Sequence, residues 1–169
     1  MFEDAGQGDD LVLASVSYTL AADAEVEGLM VVDGASTDAI DLTGNGVGQS
    51  VYGNAGANVL AGLGGNDFLN GYEGDDTLDG GEGNDYLRGG AGADVFAFAG
   101  AAGDDTILDF TSGTDKIDLS AFGISEAQVT IDTTGDHMRL FVDSDSNGSA
   151  DFVITLAGAL EFSSADFVF

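Results

Sequence analysis

The chain contains no cysteine and no proline, one histidine, and only three Lys or Arg among 169 residues. Without cysteine there can be no disulfide, no iron–sulfur cluster and no thiolate zinc site. If the protein works outside the cell, ions rather than disulfides must stabilise it. With His137 as its single histidine, the chain cannot carry the "HExxH" helix of a zinc protease. No run approaches the 18 apolar residues of a membrane-spanning helix. The opening "MFEDAGQGDD" lacks the basic and apolar regions of a cleavable secretory signal. The absence of proline beside 27 glycines, in a chain rich in Val, Ile, Thr and Phe, points to short strands and tight turns.

The shortage of basic residues has the larger consequence. Thirty-one Asp and Glu leave a formal charge of −28, yet 44% of the residues are hydrophobic, too many for a disordered acidic tail. Nucleic acid and anionic membrane surfaces are excluded as partners, and nothing here inserts into a membrane. Carboxylates packed this densely repel one another unless cations sit among them. Carboxylate and carbonyl oxygens favour hard cations such as Ca²⁺.

Set in rows of nine, the middle of the chain reads "GNAGANVLA" from Gly53, "GLGGNDFLN" from Gly62, "GYEGDDTLD" from Gly71, "GGEGNDYLR" from Gly80 and "GGAGADVFA" from Gly89, without gaps. A looser row, "GNGVGQSVY", precedes them from Gly44. The first column is always Gly. The sixth reads Gln49, Asn58, Asp67, Asp76, Asp85, Asp94, and the eighth Val51, Leu60, Leu69, Leu78, Leu87, Phe96. One apolar position between two outward ones is a three-residue strand, and the six residues before it are a glycine-shaped turn ending in an acid. Such a strand offers one core side chain per row and must stack to bury it. With two rows per coil, opposite strands face each other across the core, and turns two rows apart lie about 4.8 Å above one another. That arrangement brings Asp67 over Asp85, Asp76 over Asp94, and Asn58 over Asp76. A cation ligated between stacked carboxylates turns their repulsion into attraction. The displaced row "GAAGDDTIL" from Gly100 puts Asp105 over Asp85, so Asp85 is expected to stand between two acid partners.

This nonapeptide resembles that of the repeats-in-toxin (RTX) proteins, and the rows from Gly80 and Gly89 match every fixed position. The resemblance implies an all-β fold, a parallel β-roll with a C-terminal antiparallel β cap, holding about three to five Ca²⁺ ions between its turns. It implies as ligands Asp67, Asp76, Asp85, Asp94, Asp105 and Asn58, with carbonyls of the glycine region around Gly62, Gly64, Gly71, Gly80, Gly81, Gly83, Gly89 and Gly90. Gln49 and Asn58 depart from the pattern, so sites at their rows are expected to be weak or absent. Asp109 reads either as a further ligand or as a solvent-facing acid.

Residues 106–110 and 116–119 read as strands covering the end of the roll, in a segment that resembles the C-terminal region of serralysin-type secreted metalloproteases. Three further strands are expected over 129–132, 137–143 and 151–156. Between the last two, "DSDSNGSAD" supports two readings: a solvated hairpin tip, or a second metal loop using Asp143, Asp145, Asn147 and Asp151. The first half of that loop resembles an EF-hand, but the position of its bidentate Glu is Ile154. Near the N-terminus, "AGQGDDLVL" echoes the repeat through Gly6, Gly8, Asp10 and Val12. The expected organisation is an RTX-like strand segment over 1–43, the nonapeptide roll over 44–109 and the cap over 110–169. Because Met1 opens inside such an array, a fragment, a truncated reading frame or an excised module is expected.

The chain ends in Asp166, Phe167, Val168 and Phe169, an acid and three hydrophobics. Beside the repeats, this end resembles the uncleaved C-terminal signal of type I secretion substrates. The resemblance implies export by an ABC secretion machinery and an extracellular location. No "GxSxG", P-loop or dinucleotide fingerprint occurs, and carboxylate pairs picked from 31 acids carry no information about glycoside hydrolysis. The expected function is a non-enzymatic Ca²⁺-binding module of a secreted protein. The alternative is the non-catalytic end of a secreted enzyme, serralysin-like protease or mannuronan epimerase, or of a surface-layer or adhesin protein. Those alternatives bring polysaccharide contacts or self-association as partners.

Overall fold

The computed structural model describes residues 8, 10–158 and 161–169, so Gly6 of the N-terminal echo lies outside the described residues. Sixteen short strands occur among them, with no α-helix. The N-terminal third holds β1 (Leu11–Ala14), β2 (Tyr18–Thr19), β3 (Gly28–Val31), β4 (Leu42–Thr43) and β5 (Ser50–Tyr52). The repeat rows form β6 (Val59–Gly64), β7 (Phe68–Glu73), β8 (Thr77–Glu82), β9 (Tyr86–Ala91) and β10 (Val95–Ala97). Beyond them lie β11 (Asp105–Ile107), β12 (Lys116–Asp118), β13 (Val129–Asp132), β14 (Met138–Val142), β15 (Phe152–Leu156) and β16 (Phe167–Val168).

Odd-numbered strands from β1 to β11 stack in parallel into one sheet and even-numbered strands from β2 to β12 into the other, giving a solenoid of six coils. The register is the one that two rows per coil require. Val51 pairs with Leu69 and Leu69 with Leu87. In the facing sheet Leu42 pairs with Leu60 and Leu60 with Leu78. Every residue of the eighth column is fully buried. Each ladder of stacked aliphatic side chains fills the thin core between the sheets, and each side chain contributes about 2 kcal/mol through loss of its hydrated surface. The same period of 18 residues therefore sets both the core and the turn stacking.

The strands at 105–107 and 116–118 do not lie across the end of the roll. They continue it, because Ile107 seats on Leu87 and Ile117 on Phe96 in parallel register. The cover comes later. β15 adds to β11 in parallel, and β14 and β13 follow antiparallel, making nine strands in that sheet. On the other side β16 adds in parallel to β12. A run of ring contacts, Phe96–Phe110 at 6.2 Å, Phe110–Phe162 at 5.6 Å and Phe162–Phe167 at 4.8 Å, closes the end of the core between these additions.

The C-terminal acid is part of this closure. Asp166 is fully buried and accepts hydrogen bonds from Ser112 Oγ at 2.7 Å, Gly113 N at 2.9 Å and Ser163 N at 2.9 Å. Burial pushes its carboxyl up, but these donors outweigh that and hold it below the usual range.

Candidate metal centre

Each repeat turn has a glycine in its first place and, five residues on, an acid whose side chain folds back over that glycine. A Cβ on Gly62, Gly71, Gly80 or Gly89 would collide with Oδ2 of Asp67, Asp76, Asp85 or Asp94 respectively. The invariant first column is thus a steric requirement of the sixth. In the four rows from Gly62 the second column has positive φ: Gly81 and Gly90 stand at +92° and +103°, and Leu63 and Tyr72 occupy the same place at +76° and +81°. Leu63 and Tyr72 are strained there, since a left-handed conformation costs an L side chain roughly 1 kcal/mol. In the fourth column, a Cβ on Gly83 would collide with the Gly65 carbonyl of the coil before. Gly64 has room for a side chain, so packing does not account for it.

The stacked acids share one hydrogen-bonding scheme. Oδ1 of Asp85 accepts from Asp67 N at 2.8 Å, Oδ1 of Asp105 from Asp85 N at 2.7 Å, and Oδ1 of Asp67 from Gln49 N at 2.6 Å. On the opposite edge Oδ1 of Asp76 accepts from Asn58 N at 2.7 Å and Oδ1 of Asp94 from Asp76 N at 3.0 Å. Asp85 and Asp94, neighbours in the repeat, therefore belong to different edges.

The second oxygens are different. Oδ2 of Asp67, Asp76 and Asp85 is buried and meets no hydrogen-bond donor. A buried carboxylate oxygen without a partner carries a large desolvation cost. Burial accordingly pushes the carboxyls of Asp67 and Asp76 up to about 7, with the acid stacked on each adding to the rise and one backbone N–H opposing it. Asp105 rises to about 7 and Asp94 to about 6, mainly by burial, and Asp85 is raised for the same reason. Carbonyl oxygens converge on the same places. The Gly80 carbonyl lies 2.6 Å from where a Gly62 Cβ would stand, and the Gly89 carbonyl 2.7 Å from that of Gly71, beside Oδ2 of Asp67 and Asp76. All of these donors are oxygen, several are anionic, and each orphaned atom lies over the first glycine of its own turn. This donor set fits a hard divalent cation such as Ca²⁺.

The first two rows solve the same problem without charge. Nδ2 of Asn58 donates to Ile40 O at 2.9 Å and to Asn54 Oδ1 at 2.9 Å, while its own Oδ1 accepts from Asn54 N. Gln49 likewise pairs with Asn45, Nε2 to Oδ1 at 2.6 Å and Asn45 N to Oε1 at 3.0 Å. An amide in the sixth column with an Asn in the second satisfies both turns internally. Asn58 is in the stack expected for it, over Asp76, with its side chain fully engaged by the protein.

Asp109 reaches the turn at Gly89. Its carboxylate accepts from Gly89 N at 3.1 Å and Gly90 N at 3.0 Å and faces Arg88 Nε at 3.4 Å. Asp143, Asp145 and Asp151 come within 4.8 Å of one another in the loop between β14 and β15. There Asp151 Oδ2 accepts from the Ser144 backbone and hydroxyl, and Asp143 takes Asn147 N and Gly148 N. These bonds suit a hairpin tip, and the same three carboxylates stand close enough to share a cation, so both readings of the loop stay open.

Two features escaped the sequence reading. Asp115, buried at 4% exposure, accepts from Asp94 N at 3.1 Å and from Thr111 N at 2.8 Å. Asp94 therefore stands between two acids, Asp76 and Asp115, as Asp85 stands between Asp67 and Asp105. The available signal was the position of Asp115 two places before the core residue Ile117. Column five forms a second ladder of opposite sense, in which Asn66 Oδ1 accepts from Asn84 N and Asn84 Oδ1 from Asp104 N. Alternating Asn and Asp in that column was its sign.

The model of the RTX calcium-binding nonapeptide repeat (4 copies) matches the chain at residues 52–87, 62–96 and 70–107. Among solved structures, the solution structure of the AlgE6R3 subunit from the Azotobacter vinelandii mannuronan C5-epimerase is 32% identical with a TM-score of 0.58, covering 80% of this chain and 81% of that one. The AlgE6R2 subunit of the same enzyme is 24% identical with a TM-score of 0.49, covering 98% of this chain and 94% of that one. No curated protein sequence matches. The repeat match, the likeness to AlgE6R3 and the two-row register together show that this chain belongs to the RTX calcium-binding nonapeptide-repeat family.

Proposed function

We propose that the chain is a Ca²⁺-dependent folding module, with ions held between turns two rows apart along both edges of the roll. The observation that carries this reading is the buried, unpartnered Oδ2 of Asp67, Asp76 and Asp85. Asp67, Asp85 and Asp105 would serve one edge and Asp76, Asp94 and Asp115 the other, with Asn58 marginal and glycine-region carbonyls completing the shells. Bound Ca²⁺ would supply the positive charge that these carboxylates lack. Without it, the formal charge of −28 and several buried carboxylates oppose the compact state.

This physics suits export. In a Ca²⁺-poor cytosol the chain stays expanded, and outside, at the millimolar levels that extracellular modules are tuned to, it folds. On this reading the protein is secreted by a type I machinery and its last residues, Asp166 to Phe169, belong to the signal. Circular dichroism in chelator, in about 5 mM Ca²⁺ and in the same concentration of Mg²⁺ tests the folding claim. Strand signal only in Ca²⁺ is expected, and equal strand content in chelator would refute it.

A second reading rests on the likeness to a subunit of a mannuronan epimerase: the chain is the non-catalytic part of a larger secreted enzyme. His137, the single histidine, serves the fold, its Nδ1 accepting from Gly158 N at 3.2 Å. Genomic sequence upstream of Met1 decides the matter. A continuous catalytic domain supports the second reading, and a stop codon with its own promoter sinks it.

A further inference from the structure

The ninth column of the repeat follows the core position and, by strand alternation, leaves the core side of the sheet. On the seven-stranded sheet it reads Ala61, Asp79 and Ala97. Asp79 is therefore an acid between two alanines, immediately before Gly80, the first glycine of the turn that ends in Asp85. It is half-buried, and burial raises its carboxyl, with the Gly81 N–H opposing that rise. The same N–H pins the carboxylate beside Gly80 and Gly81. From the far end of the turn, Oδ2 of Asp85 folds back over Gly80, where a Cβ would collide with it. Adjacent α-carbons stand about 3.8 Å apart, so the Asp79 α-carbon lies within about 7 Å of that oxygen.

Oδ2 of Asp85 is one of the buried atoms that meet no donor, in a residue only 1% exposed. Asp105, stacked on Asp85, is equally buried. Burial is the main reason that both carboxyls are raised, and the charge of Asp79 adds to the rise of each. Three carboxylates thus share one turn, and the protein brings no base to them. Its three basic residues are engaged elsewhere: Arg88 faces Asp109 at 3.4 Å, Arg139 faces Asp132 at 3.0 Å, and Lys116 Nζ donates to Ala165 O at 2.7 Å. The opposite edge differs in this respect. There Asp109 accepts from Gly89 N and Gly90 N, beside the glycine over which Asp94 folds, but Arg88 occupies the ninth column and offsets it. At the turn of Asp85 only a cation from solution can do the same.

We propose that Asp79 is a third carboxylate of the cation site between Asp85 and Asp105, an affinity-setting residue outside the acid column of the nonapeptide. The inference rests on the Ca²⁺-dependent folding proposed above and adds to it a residue that the repeat does not specify. Oxygen sites gain Ca²⁺ affinity with the number of their charged ligands. The preceding turn of the same edge, from Gly62 to Asp67, has Ala61 where this one has Asp79. The site between Asp85 and Asp105 is therefore the tightest of its edge.

The test measures Ca²⁺ binding by the full chain in competition with a chromophoric chelator, which reads the overall association constant, while native mass spectrometry counts the ions. Asp79→Asn should leave the count unchanged and lower the overall constant about tenfold. Asp118→Asn makes the same change of charge in the ninth-column place of β12, away from this turn, and should leave the constant near that of wild type. A double-mutant cycle locates the effect: Asp79→Asn should cost little in an Asp85→Asn background and its full factor in an Asp94→Asn background. In chelator, Asp79→Asn should need no more osmolyte to fold than wild type, which separates a lost ligand from a packing defect. Wild type that binds no Ca²⁺ would refute the folding module itself. If wild type binds, the role of Asp79 is overturned by a variant that binds as tightly, by an equal loss in Asp118→Asn, by a full loss in the Asp85→Asn background, or by a higher osmolyte requirement in chelator.

Discussion

Replacing Asp76 by Asn should change stability in opposite directions with and without calcium. In the metal-free roll, Oδ1 of Asp76 accepts from Asn58 N at 2.7 Å while Oδ2 is buried with no donor. A carboxyl lifted from 3.8 to about 7 is ~4 kcal/mol harder to ionise in the fold than in the unfolded chain. An Asn keeps the acceptor for Asn58 N and carries no charge, so in chelator most of that penalty is removed. In Ca²⁺ the sign reverses, because an anionic ligand has been lost from the stack with Asp94. The assay is folding of the chelated chain on adding trimethylamine N-oxide, followed by far-UV circular dichroism, beside Ca²⁺ calorimetry. Asp76→Asn should fold at a lower osmolyte concentration than wild type and bind at least one ion fewer. A variant that needs more osmolyte in chelator, as a simple packing defect would, refutes the reasoning about the orphaned oxygen.

Asp85→Ala and Asp94→Ala should be equally harmful in Ca²⁺, since each residue stands between two acids; calorimetry should show both losing more ions than Asp105→Ala, and unequal losses would break the symmetry of the two edges. Each alanine also strands a buried N–H, of Asp67 or Asp76, at a cost of roughly 1–3 kcal/mol. The pH dependence has a definite sign. The folded carboxyls of Asp67, Asp76 and Asp105 lie near 7, above their unfolded value. The metal-free fold is therefore favoured below about pH 4 by these groups and loses that favour as pH rises through 7, while Ca²⁺ binding releases protons and weakens on acidification. Osmolyte titrations in chelator at pH 5 and 8, with calorimetry in two buffers of different ionisation enthalpy, check both. Asp166 behaves oppositely: its lowered carboxyl stabilises the docked C-terminus above pH 4, and that contribution disappears as pH falls below its folded value. Leu63→Gly should raise stability in Ca²⁺ by up to about 1 kcal/mol, because Leu63 is half exposed at φ +76°; urea unfolding measures it, and a loss of stability would mean that the strain is offset by packing.

The eighth-column core and its stacking partners were readable because strand, turn and coil all repeat at 18 residues, so one frame orders everything from Val51 to Phe96. The steric reason for the first column was not readable, since it depends on where the Asp side chain folds. Where the period breaks, prediction stopped. Val12 pairs with Leu29 and Leu29 with Val51, spacings of 17 and 22, so the N-terminal coils continue the solenoid with only the echo around Val12 to announce them and no row at Leu29. Phe96 pairs with Ile117 across 21 residues, and that slip hid Asp115 from the sixth column. Residues 106–110 and 116–119 were recognised as strands but misplaced as cover, because the row from Gly100 is displaced by two residues and the turn before Lys116 lacks the glycine frame, while their core residues Ile107 and Ile117 keep the register. The amide turns of Asn45 with Gln49 and Asn54 with Asn58 appeared in the sequence only as departures. Their complete internal hydrogen bonding shows that each is an uncharged version of the same turn.

The central claim is that cations between stacked turns, on both edges, make this fold stable. Native mass spectrometry of the full chain over a Ca²⁺ titration tests it directly, because ion count and compactness are read from the same spectrum. The account predicts compact, low charge states that appear only together with about three to five bound Ca²⁺ ions, taken up cooperatively. Compact charge states free of calcium, or a folded chain that binds one ion or none, would contradict it.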